Sequence, residues 1–131
     1  MTRPGVWLLA LVLVLTAGTS LSARGIVWDF LGDTHIDDIR DHDKILANRR
    51  DGPFRALQLR VSGDTIFFQR LVAHYANGTS EELPIDDGIS PKATTLVMNL
   101  TGERRILDSV EVWYFKQPWE HRPRLTLYGT R

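Results

Sequence analysis

The sequence predicts an all-β protein, an antiparallel β-sandwich or a small β-barrel, preceded by an export leader. Three observations carry that expectation. Apolar and polar residues alternate with a period of two, above all in Phe54 to Tyr75 and Arg105 to Phe115. Turn chemistry built on Gly, Asn, Asp and Pro recurs between such stretches. The part of the chain after the leader holds no convincing helical period, and the alternating stretches add up to seven to nine short strands.

Residues 1–23 read as a signal peptide. Arg3 and the free amine make a positive start, Trp7 to Leu15 is an unbroken apolar run, and Thr16 to Ala23 is rich in small residues. The run is shorter than the ~20 residues that spanning a bilayer takes, which argues against a transmembrane anchor. A cut after Ala23 is expected, with Ser22 and Gly18 as other acceptable ends, so the cleavage site falls within residues 18–24. The remainder, residues 24–131, is expected to be a single β-sandwich domain. A chain of about 108 residues buries roughly 65% of its unfolded surface, enough to fold on apolar burial. That matters because the sequence has no cysteine and hence no disulfides.

Charge excludes two partner classes. Basic and acidic residues balance at 16 each, so the chain has no long-range pull toward nucleic acid or anionic lipid. No nucleic-acid partner is expected, and no stable membrane insertion once the leader is removed.

In chain order, Ile26 to Ile36 reads as a first strand bent at Gly32, and Asp37 to Asp43 as an acidic turn. Lys44 to Ala47 is a short apolar piece, and Asn48 to Pro53 is a loop. Two long strands then meet at Ser62-Gly63-Asp64 as a central hairpin. Leu57, Leu59 and Val61 line one side of its first arm. In its second arm, Thr65 to Tyr75, both sides carry apolar residues, which predicts a central strand covered on both faces for part of its length. Asn77-Gly78 predicts a type I′ hairpin into a strand over Ser80 to Ile85. Lys92 to Leu100 reads as a strand with Thr94, Leu96, Met98 and Leu100 on one side. In Arg105 to Phe115, Val110, Val112 and Tyr114 fall opposite Trp113 and Phe115. Arg124 to Tyr128 sets Leu125 and Leu127 inward.

Several of these pieces together resemble a family of small exported bacterial proteins of unknown function, the DUF2541 or YaaI-like group. They are Leu31-Gly32, Asp41-His42-Asp43, Gly52-Pro53-Phe54 before LQLRV, Asn77-Gly78, and Leu100-Thr101-Gly102. Arg105-Ile106 before VEVWY and Leu127-Tyr128-Gly129 complete the set. The resemblance implies export, a bacterial source and a β-sandwich. It implies no activity, cofactor or catalytic residue.

Two constellations hold chemistry-bearing residues. Asp33, His35, Asp37, Asp38, Asp41, His42 and Asp43 fall within eleven positions. Asp37, Asp41 and Asp43 are candidates for calcium, with Asp86 or Asp87 brought alongside, and the two histidines, His35 and His42, with an aspartate are candidates for zinc. The spacing matches no EF-hand loop, however, and a solvated turn with carboxylates bonded to backbone N–H groups or arginines accounts for it more simply. No metal and no cofactor is therefore expected. The second constellation is Trp113, Phe115 and Trp119 with nearby basic residues, candidates for docking a sugar or a peptide. The plainer account is a sheet face covered by the Gln117 to Pro123 loop.

Catalytic hardware is sparse. No serine lies in a Gly-x-Ser-x-Gly elbow, and adjacent Glu81 and Glu82 on a strand point to opposite faces. No catalytic residue is expected. The function predicted is that of a non-enzymatic binding module of the cell envelope or periplasm, its partner an envelope protein or a glycan. The alternatives are a small envelope hydrolase, or a calcium- or zinc-binding accessory protein, using residues 33–43.

Overall fold

A computed structural model describes residues 25–37, 40–95 and 97–131. The leader of residues 1–23, Asp38 and Leu96 lie outside the described residues. Two antiparallel sheets face each other, as the alternation predicts. The strands are β1 Asp29–His35, β2 His42–Leu46, β3 Pro53–Phe54, β4 Ala56–Ser62 and β5 Ile66–Tyr75. They continue with β6 Ser80–Leu83, β7 Gly88–Ile89, β8 Met98–Asn99, β9 Arg105–Tyr114 and β10 Arg124–Thr130. One sheet has the order β1-β10-β4-β8. The other has the order β2-β9-β5-β6, with β3 added beside β9 and β7 beside β5. Among the described residues no helix is long and apolar enough to cross a membrane.

The core lies between the sheets. Leu57, Leu59 and Val61 of β4 and Leu125 and Leu127 of β10 come from one side; Leu71, Val110, Val112 and Tyr114 come from the other. Burying each large apolar side chain contributes about 1.5–3 kcal/mol, so these alternating faces supply the main driving force for folding.

The expected central hairpin is not one. β4 pairs with β10 and β8, whereas β5 pairs with β9, β6 and β7. The Ser62 to Thr65 turn is an arch that carries the chain from one sheet to the other. Gly63, at φ +90°, makes the corner, and a Cβ there would sit 2.6 Å from Arg122 O. Period-two alternation states which side chains point inward; it does not state whether the next strand lies beside them or across from them.

β5 is an interior strand covered on both faces over Leu71 to Ala73, where Val72 is buried opposite its two core-facing neighbours. Its register with β9 slips between Phe68 and Arg70, a bulge at Gln69. Ile66 and Phe68 are inward before the bulge; Leu71, Ala73 and Tyr75 are inward after it. One core face with a phase change explains most of the apolar residues of both parities, and Val72 is buried on the opposite face. β9 slips similarly between Leu107 and Ser109. At β1 the register shifts between Phe30 and Gly32, beside the bend expected there.

Three local expectations are also revised. The Asn77-Gly78 hairpin forms, but Asn77 keeps a negative φ and only Gly78 is left-handed, at φ +88°. Gly78 N–H donates to Tyr75 O at 3.0 Å and Tyr75 N–H to Thr79 O at 2.9 Å. That is a three-residue loop closed by a glycine bulge, not a type I′ turn. Lys92 to Leu100 is strand only at Met98–Asn99. Thr95, not Thr94, is buried, and its Oγ1 accepts the Leu59 N–H at 3.0 Å. The end of the acidic turn is strand as well: His42 and Asp43 begin β2, opposite Trp113 and Val112.

Candidate functional site

The outer face of the larger sheet carries two of the three aromatic residues that the sequence singles out, Trp113 and Phe115. Register places His42, Trp113 and Arg70 in one row across β2, β9 and β5. The Trp113 ring stacks on His42, with centroids 5.8 Å apart and planes 18° apart. The Arg70 guanidinium lies 4.8 Å from the Trp113 ring centroid and its Nε donates to Glu82 Oε1 at 2.5 Å. Trp113 is thus half-buried between two polar neighbours. In the next row Glu111 is hydrogen-bonded to His74 Nε2 at 3.0 Å and lies 3.9 Å from His42 Nε2.

Beyond Trp113 the face changes character. Phe115 N–H donates to Phe67 O at 2.9 Å, which brings the two residues side by side. Phe67 is 46% exposed and Phe115 54%. They line a hollow of about 390 Å³ with Phe68, Asp87 and Gln117. Gly88 lies against Phe67: a Cβ at 88 would be 2.9 Å from two of its ring carbons, so any side chain there would displace the ring. Asp87 is fixed by its own backbone, since Phe68 N–H donates to Asp87 O at 2.7 Å. Gln117 Nε2 is shut from solvent and has no hydrogen-bond partner. The sequence reading missed Phe67, Asp87 and Gln117 as members of this group. Unbroken alternation grouped Phe67 with Leu71 and Tyr75; only the bulge at Gln69 turns it outward.

Trp119 has a different place. Its Nε1–H donates to Thr65 O at 3.0 Å, and its ring centroid lies 6.0 Å from that of Tyr114. It packs against the core and ties the loop after β9 to the start of β5.

The acidic segment is divided among separate partners. Asp37 Oδ1 accepts the Arg40 N–H at 3.1 Å. Asp41 bonds His42 Nδ1 at 3.1 Å, which holds the Asp41 carboxyl below the usual carboxylate range. Asp43 Oδ2 accepts the Tyr114 hydroxyl at 2.7 Å; burial, and then Asp43, push that phenol well above its ordinary value. Asp33 is paired with Arg124, whose Nε donates at 2.8 Å. Among the described residues no three or more histidines, aspartates and glutamates are placed to hold a metal ion. Glu81 and Glu82 point to opposite faces as expected. Glu82 meets Arg70, whereas Glu81 accepts from the Tyr75 hydroxyl at 2.5 Å, the Thr101 N–H at 3.0 Å and the Thr101 hydroxyl.

The family model described as a domain of unknown function, DUF2541, matches residues 8–129. The chain belongs to the DUF2541 family. The resemblance carried by the turn and strand pieces therefore holds over nearly its whole length. No curated protein matches the chain. Among solved structures, the chain is similar to AlgX of Pseudomonas aeruginosa at 15% identity and a TM-score of 0.52. The likeness covers 84% of this DUF2541 chain but 27% of AlgX, and it shows the fold alone.

Proposed function

We propose that this DUF2541 protein is an exported, non-enzymatic binding module of the cell envelope, and that the Phe67–Phe115 face is its docking surface. One observation carries the reading. The fold buries Phe54, Phe68, Tyr75 and Tyr114 almost completely, yet leaves two adjacent phenylalanines half exposed over a hollow. Leaving such a pair half in water gives up apolar burial worth about 0.8–1.5 kcal/mol per ring, and clustered exposed aromatics mark binding surfaces. The pattern of residues 1–23 supports export. The hydrolase and metal-binding alternatives both draw on residues 33–43, where the carboxylates of Asp37, Asp41, Asp43 and Asp33 are engaged one by one with Arg40, His42, Tyr114 and Arg124.

Two measurements test this. Fractionation of cells expressing the full sequence, with N-terminal sequencing of the product, is expected to find it in the envelope, beginning within residues 19–25. Capture of envelope components by the protein is expected to fail for a Phe67→Ala, Phe115→Ala variant that keeps the native circular dichroism. Equal capture by both proteins would remove the docking surface, and an unprocessed cytoplasmic product would remove export.

A further inference from the structure

We infer that the ligand of the Phe67–Phe115 face is a neutral carbohydrate chain, an inference that rests on the docking reading above. A sugar ring offers two kinds of surface, an apolar face of C–H groups and a rim of hydroxyls that both donate and accept. The hollow offers the complement of each. Its apolar part is made by Phe67, Phe68 and Phe115, with the Phe67 ring against Gly88. Its polar part is the Asp87 carboxylate, which only accepts, beside the Gln117 side chain.

An apolar protein segment fits this less well. Covering Asp87 and Gln117 with hydrocarbon leaves buried polar groups without partners, an outcome that opposes binding. Hydroxyls arriving around the rings can donate to the Asp87 carboxylate. The sign of the charge narrows the class further. Asp87 is the single charged residue in the lining, and the nearby cation Arg70 is engaged with Glu82 and Trp113. An acidic saccharide would meet a carboxylate in the hollow, and none of the lining residues is a cation that offsets it. The hollow is shallow and lies on a sheet face, which suits a polymer lying across it better than an enclosed single sugar.

The test is an amide-resolved NMR titration of the protein purified from cells expressing the full sequence. The probes are a β-linked glucose tetrasaccharide, an N-acetylglucosamine tetrasaccharide, a uronic acid tetrasaccharide and an extended apolar heptapeptide. At least one neutral tetrasaccharide is expected to shift the amides of Phe67, Asp87, Phe115 and Gln117. Phe115→Leu, which keeps apolar bulk but removes the flat ring, is expected to weaken that binding about tenfold. Asp87→Asn, which removes the charge but keeps an acceptor, is expected to narrow the difference in affinity between the uronic acid chain and the neutral ones. The carbohydrate assignment is overturned if the peptide alone shifts these amides, if the uronic acid chain binds the unsubstituted protein as well as the neutral ones, or if Phe115→Leu binds sugar unchanged. In those cases the docking surface stands with a different ligand. If no probe shifts these amides and the double alanine variant captures envelope components normally, both readings fall.

Discussion

Gly63 and Gly78 provide a direct test of the arch between the sheets. Both are left-handed, at φ +90° and +88°, so alanine at either position bears the same backbone strain. That strain is about 1–2 kcal/mol, offset by about 0.4–1 kcal/mol from a stiffer unfolded chain. Nothing lies within 4 Å of a Cβ built at Gly78, so Gly78→Ala is expected to cost only the difference, about 0.5–1 kcal/mol. A Cβ at Gly63 meets Arg122 O at 2.6 Å, Arg122 C at 3.2 Å and Pro123 Cα at 3.3 Å, all backbone atoms. That backbone is held in turn, because Pro123 O accepts the Ile36 N–H at 2.9 Å and Arg122 Nε donates to Ile36 O at 3.3 Å. Overpacking of this kind adds about 1–3 kcal/mol, which brings Gly63→Ala to about 2–4 kcal/mol. At about 4 °C per kcal/mol, the melting temperature is expected to fall by roughly 8–16 °C for Gly63→Ala and by roughly 2–4 °C for Gly78→Ala. Thermal melts followed by far-ultraviolet circular dichroism, with urea titrations beside them, measure both. Equal losses would mean that residue 63 sits in an open turn, as a β4–β5 hairpin requires, and the arch would be refuted.

Three further outcomes are expected. Tyr114→Phe keeps the buried ring but removes the bond to Asp43; a loss of about 1.5 kcal/mol is expected in urea unfolding, and no loss would show that the bond is not made in solution. Partial burial works against the Glu81 charge, but the hydrogen bonds from Thr101 and Tyr75 outweigh it and hold the carboxyl below the ordinary value of 4.5. A depressed carboxyl contributes stability above its unfolded value and loses it as pH falls through its folded one. The gap in urea midpoint between the wild type and Glu81→Gln should therefore be widest at neutral pH and close below about pH 4.5; a gap that does not change with pH would contradict this. Trp119→Phe removes the bond to Thr65 O and should cost about 1 kcal/mol and speed amide exchange in the loop after β9, which hydrogen-exchange measurements report directly.

Much of the fold was legible because burial in a sheet leaves a periodic trace. Leu57, Leu59 and Val61, and Leu125 and Leu127, alternate cleanly and are all buried. What the trace lacks is the identity of the neighbour. Nothing in Ser62-Gly63-Asp64 distinguishes a hairpin from an arch; the difference lies in Arg122 and Pro123, some sixty residues away. Bulges leave a fainter mark. The slip at Gln69 is visible only as Phe68 and Leu71 both pointing inward, a spacing that a strict two-residue period cannot produce. The docking face inherits both difficulties. Phe115 was found by alternation along β9, whereas Phe67 needed the bulge. Asp87 and Gln117 are ordinary loop residues in the sequence and acquire meaning only when β7 and the end of β9 come together beside β5.

β10 lies between β1 and β4, so the smaller sheet lacks an interior strand until Arg124–Thr130 is present. A nascent polypeptide built this way cannot close while the ribosome is still adding its preceding hundred or so residues.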